Sequence, residues 1–133
     1  MKGILHTDGG ARGNPGPAAA GVVLNNSKGE LIKEKGDFLG ACTNNEAEYR
    51  ALTFGMALAL ESGVDELDCY LDSELVVKQL KGLYRVKNSS LSALFIKVKQ
   101  LETKFKKIAY THVKRELNKQ ADKIVNEILD RRF

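Results

Sequence analysis

Long apolar runs are missing from this 133-residue chain, so nothing in it resembles a membrane span or the apolar core of a signal peptide. A cytoplasmic protein that does not enter membranes is therefore expected. Cysteine is scarce too. Cys42 and Cys69 form no CxxC and have no neighbouring histidine, which excludes a zinc site or a redox pair and leaves each as a small buried apolar residue. His6 and His112 are the two histidines, and both read as packed or satisfied side chains rather than catalysts. The two prolines, Pro15 and Pro17, share one loop. With no internal repeat and no linker, residues 1–133 are expected to form a single domain, large enough to bury a core without staples.

Acidic residues are absent from Leu75 to Gln100, where Lys78, Lys81, Arg85, Lys87, Lys97 and Lys99 stand. In a chain of net charge +4 and pI near 9.1, that stretch reads either as a solvated helix face or as a surface that meets phosphates. The overall charge permits a nucleic-acid partner without requiring one.

What is present begins with GILHTDGGARGNPGP, Gly3 to Pro17. A short strand, Ile4 to Thr7, is expected to stop at Asp8, and a loop of four glycines and both prolines follows. Asp before Gly is ordinary turn chemistry, so Asp8 alone reads as a turn former before it reads as a catalyst. Strands over Ala18–Leu24 and Glu30–Phe38, joined by the turn cluster from Asn25 to Gly29, complete an antiparallel meander. Thr43 and Glu46 then form a capping box ahead of a long helix that runs to Ser62. On that helix Glu48 shares the buried stripe of Ala51, Leu52, Gly55 and Ala59, whereas Glu46 is placed to pair with Arg50 four residues on. A buried carboxylate is costly unless partnered, so Glu48 needs a partner such as a metal, while Glu46 has a sufficient structural role.

A fourth strand, Leu67–Leu71, stops at Asp72 and leads into a helix over Ser73–Leu80. After the basic connection Gly82–Ser90 come a helix over Leu91–Phe105 and a fifth strand over Ile108–His112. Asn118 is expected to cap a final helix that ends near Arg131, with Asp122 in its first turn, where the helix dipole alone would favour a carboxylate. If strands one and four are parallel neighbours, Asp8 and Asp72 both point into the crevice at a topological switch point. Glu48 and Asp122 can reach the same crevice from their helices. Four carboxylates so close cannot all ionise unless cations lie between them. Oxygen-only ligands select Mg²⁺ or Mn²⁺, and two such ions ~4 Å apart suit in-line phosphoryl displacement.

Four motifs carry a resemblance over nearly the whole chain: DGGARGNPGPAAAG, TNNEAEYRAL, LDSELVVKQL and NKQAD. In order and spacing they resemble ribonuclease H of the type 1 class, in a compact form without the basic protrusion of many bacterial relatives. The resemblance implies an α/β ribonuclease H-like fold, a five-stranded mixed sheet in the order 3-2-1-4-5 flanked by helices. It also implies endonucleolytic hydrolysis of the RNA strand of RNA–DNA hybrids, with 5′-phosphate and 3′-hydroxyl ends. Two Mg²⁺ ions, with Mn²⁺ as a substitute, would be held by Asp8, Glu48, Asp72 and Asp122. In the family pattern Asp8 bridges both ions, Asp122 serves the attacking side, and Glu48 with Asp72 serves the leaving oxygen. Contacts to 2′-hydroxyls fall on Asn14, Asn44, Asn45 and Glu74. Lys78, Lys81, Arg85 and Lys87 would partly replace the protrusion. The segment from His112 to Leu117 is too short for the family's glycine/histidine loop, which makes Arg115, with Glu116 behind it, the candidate that assists turnover. A monomer is expected. Double-stranded RNA or branched DNA are alternative substrates, and a catalytically silent hybrid binder is the alternative from another class. The retained carboxylates oppose the last, because a pure binder gains nothing from negative charge where phosphates approach.

Overall fold

The computed structural model describes residues 1–132. Its strands are β1 (Lys2–Ala11), β2 (Gly16–Asn26), β3 (Leu31–Cys42), β4 (Glu66–Leu71) and β5 (Lys107–His112). Helices α1 (Asn44–Glu61), α2 (Glu74–Leu80), α3 (Ser89–Glu102) and α4 (Lys119–Arg131) complete it, with a 3-10 turn over Arg115–Leu117. The sheet order is β3-β2-β1-β4-β5, as expected, with β1, β2 and β3 antiparallel and β1, β4 and β5 parallel.

The first strand does not stop at Asp8. Its parallel ladder with β4 closes at the pair Thr7–Leu71, but its antiparallel ladder with β2 carries on through Gly9–Ala20, Gly10–Ala19 and Ala11–Ala18. Asp8 is thus the first residue beyond the parallel partner rather than the end of a strand. The freed edge finds new acceptors on α1: Gly9 N donates to Glu48 Oε1 at 3.2 Å and Ala11 N to Asn44 Oδ1 at 2.9 Å. The start of α1 therefore stands in for the missing strand, which satisfies backbone groups that would otherwise be orphaned.

The capping box forms as expected. Thr43 Oγ1 accepts from Glu46 N and Glu46 Oε1 accepts from Thr43 N, which holds the Glu46 carboxyl below the usual range. The expected Glu46–Arg50 pair does not form, because the cap occupies Glu46 and Arg50 Nη1 donates to Leu39 O at 3.0 Å. Behind this cap α1 buries Tyr49, Leu52, Met56 and Ala59 against Leu5, Val22 and Leu24 of the sheet. Glycine is needed at Gly9, since a Cβ there would lie 2.1 Å from Ala47 O. A Cβ on the next residue, Gly10, would instead meet Val125 of α4, so β1 separates two helical layers as strand alternation requires.

Other boundaries move. The third strand extends to Cys42, and α3 starts at Ser89 behind an Asn88 cap and stops at Glu102, although Phe105 beyond it is still buried. Asn118 precedes α4 but does not cap it. Its Nδ2 donates to Thr7 O at 2.8 Å instead, and tertiary bonding displaces the local cap. Cys42 and Cys69 are free and buried, as expected. Among the described residues no helix is long and apolar enough to cross a membrane.

Candidate active site

Where β1 passes the end of β4, Asp8, Glu48 and Asp72 come together, each with a carboxylate oxygen within 4.8 Å of the others. β1 supplies Asp8, the first turns of α1 supply Glu48, and Asp72 follows β4 directly. Asp8 and Glu48 are buried, and Glu48 Oε2 has no hydrogen-bond partner. Burial first, and then the Asp72 charge, push the Asp8 carboxyl up to about 7. Burial, followed by Asp8 and Asp72, drives Glu48 well above the usual range. Asp72 is raised by burial while the Asn118 amide and the Arg115 charge oppose it. Such a group of acids, with one buried oxygen left over, fits a hard divalent cation bound through oxygen.

Asp122 lines the same cleft, of about 380 Å³, but stands outside that trio. Arg115 Nη2 holds its Oδ1 at 3.4 Å and Asn126 Nδ2 holds its Oδ2 at 3.3 Å, so it faces the trio from α4 with both oxygens engaged. Arg115 projects from the 3-10 turn into the cleft and its side chain is mostly exposed.

Asn44 and Asn45 also line the cleft. Asn14 Oδ1 accepts from Asn44 N at 3.0 Å, and Asn44 Oδ1 is taken by Ala11 N, so the oxygens brace the loop while the Nδ2 groups remain to donate. The remaining binding candidates lie elsewhere. Glu74 pairs with Lys78 at 2.6 Å, and Lys78 Nζ sits 5.0 Å over the Tyr84 ring. Lys81 ends α2, Arg85 lines a separate groove with Tyr84 and Phe95, and Lys87 is exposed in the α2–α3 connection. Neither Glu74 nor any of these four cations lines the carboxylate cleft.

His6 is packed, stacked on Tyr70 at 5.1 Å, and burial lowers its pKa. His112 is not: it is exposed at the last position of β5, an edge strand. Two residues in the cleft region escape a sequence reading. Asn118, buried behind Asp72, carried a signal only as a helix cap. Arg12 lines the cleft from the glycine loop and pairs with Asp130, and the one signal was a lone cation among glycines.

A family model described as reverse transcriptase-like matches residues 6–128. The crystal structure of RNase H1 from the halophilic archaeon Halobacterium salinarum NRC-1 superposes with a TM-score of 0.96 at 40% identity, covering 98% of each chain. The chain belongs to the ribonuclease H family. Among curated ribonucleases H, ribonuclease HI of Halobacterium salinarum is 42% identical over 92% of this chain, which spans 62% of that relative's length. The ribonuclease H named LC11-RNase H1, solved in complex with RNA/DNA hybrid, has a TM-score of 0.89 at 40% identity, covering 94% of each chain. Ribonuclease H membership accounts for the sheet order.

Proposed function

We propose that this ribonuclease H hydrolyses the RNA strand of RNA–DNA hybrids as an endonuclease and leaves 5′-phosphate and 3′-hydroxyl ends. The observation that carries this reading is the trio Asp8, Glu48 and Asp72, each with a carboxylate oxygen within 4.8 Å of the others, in which Glu48 Oε2 is buried without a partner. Asp8, Glu48 and Asp72 would hold one Mg²⁺, and Asp8 with Asp122 a second; Mn²⁺ has the same preference for oxygen. When bound, such a pair of ions supplies an acidified water and neutralises charge on the leaving oxygen.

The remaining work falls to side chains. Asn14, Asn44 and Asn45 present amide donors to the 2′-hydroxyls that distinguish RNA from DNA in the minor groove. Arg115 brings positive charge to the side of the cleft where Asp122 stands and assists turnover. Glu74, Lys78, Lys81, Arg85 and Lys87 lie outside the cleft and could meet only more distant parts of a duplex. Residues 1–133 act in this reading as one domain and as a monomer in the cytoplasm.

The test is incubation of matched hybrid, RNA duplex and DNA duplex with Mg²⁺, Mn²⁺ or a chelator. Cleavage of hybrid RNA in either metal, and none in the chelator, is the expected result. Equal cleavage of the RNA duplex would move the substrate class to any duplex with RNA, and an intact hybrid in both metals would end the catalytic reading.

A further inference from the structure

Arg12 and Arg115 are the two cations among the described residues that line the cleft, and the other charged groups there are Asp8, Glu48, Asp72 and Asp122. A polyanion can settle on such a surface only where positive charge offsets its phosphates. Each arginine is held by an aspartate of α4, Arg115 by Asp122 and Arg12 by Asp130. Those aspartates are eight positions apart, about 12 Å along the helix axis, so the two guanidinium groups are held by partners more than two helical turns apart.

We propose that Arg12 is an anchor for a phosphate of the bound hybrid remote from the reacting one, and that it exchanges Asp130 for that phosphate when the duplex arrives. The inference rests on the hybrid reading above. The Arg12 stem is built to stay in place. Arg12 N donates to Pro17 O at 2.8 Å, the neighbouring Ala11 N is held by Asn44, and a Cβ on Gly16 would lie 2.1 Å from Arg12 O. The head is held by much less. The Arg12 side chain is 40% exposed and its Asp130 partner 67%, and ion pairs in water are weak. A phosphate accepts the guanidinium fork as a carboxylate does, and its binding also releases the counterions condensed on the duplex, which favours exchange of the solvated carboxylate for the phosphate.

KM and kcat for Mg²⁺-dependent hybrid cleavage, read across a series of salt concentrations, test this. Arg12→Ala should raise KM about fivefold at unchanged kcat and flatten the slope of log KM against log salt by about 1. Arg12→Lys should keep most of that slope. Asp130→Asn, which removes the competing carboxylate, should lower KM by about twofold. Melting temperatures should stay within about 2 °C of wild type, since the pair is exposed. An Arg12→Ala variant with wild-type KM and salt slope would overturn the proposal. So would an Asp130→Asn variant whose KM rises like that of Arg12→Ala, since the pair would then be a structural brace. Fluorescence anisotropy of a labelled hybrid reads the same contact directly, so failure of wild type to cleave would count against the catalytic reading and leave Arg12 to be judged by binding.

Discussion

Asp8, Glu48 and Asp72 crowd one wall of the cleft, from within β1, the start of α1 and just past β4, whereas Asp122 stands across from them on α4 with Arg115 and Asn126 already bonded to it. On the first wall burial raises every carboxyl, and a buried oxygen has no donor. The second wall has its own counter-charge. The contrast shows that most of the need for a cation arises on the sheet side, and that α4 contributes a carboxylate that already has partners in Arg115 and Asn126.

The largest effect should come from the crowded wall. Asp8→Asn should reduce hybrid cleavage by more than the ~100-fold that loss of an outer partner of a metal ligand costs. The same change should raise the melting temperature in chelator at pH 8, because it removes one of the repelling charges. Wild-type cleavage, or a lower melting temperature, would break the comparison.

Next is the pH dependence of the metal-free protein. Unfolded, Asp8 titrates near its ordinary 3.8, and folded near about 7, so the native state binds the extra proton. Its contribution to stability is complete below the lower value and is lost as pH rises through the upper one. Glu48 acts in the same direction. Denaturant melts in chelator should therefore show stability falling from pH 4 to pH 7, and saturating Mg²⁺ should remove most of that slope. A flat profile in chelator would mean that the first wall is not strained.

Asn118 lies between the two walls. Asn118→Ala removes the donor to Thr7 O and should cost ~1–3 kcal/mol in urea melts, the range for a buried group left unpaired. A neutral result would free the junction before α4 from any part in holding β1 at Thr7. The smallest effect is expected on the neutralised wall. Arg115→Ala should slow kcat about tenfold, ~1.4 kcal/mol of barrier, with little change in KM for hybrid. Unchanged turnover would remove Arg115 from the chemistry and leave it as a counter-charge alone.

Features set by neighbours in sequence were legible there. The Thr43–Glu46 capping box, the inward face of Glu48 and the aspartate that follows β4 need only local pattern and one periodicity. The sheet order came by way of a resemblance, since spacing alone does not order strands. Errors arose where a distant partner won. Asp8 looks like a strand end because Gly9 and Gly10 favour turns, yet pairing with β2 carries the chain straight on. Asn118 looks like a cap, but its partner is Thr7, 111 positions away. Arg50 was expected beside Glu46 and reaches a β3 carbonyl instead. Lys78 shows the reverse case. Its local i,i+4 partner Glu74 was visible all along, and that pair already commits a side chain that looked free for phosphates.

The substitution of α1 for a missing strand bears on how an inactive form should be prepared for trapping substrate. Glu48 serves as a ladder acceptor for Gly9 N as well as a carboxylate of the trio, so truncating it would loosen the register of β1 as well as stop chemistry. Asp8 has no such second duty to the backbone in the described hydrogen bonds, and Asn is nearly its isostere. For crystals of a bound hybrid, Asp8→Asn is the substitution that should silence the protein while leaving the geometry to be photographed intact.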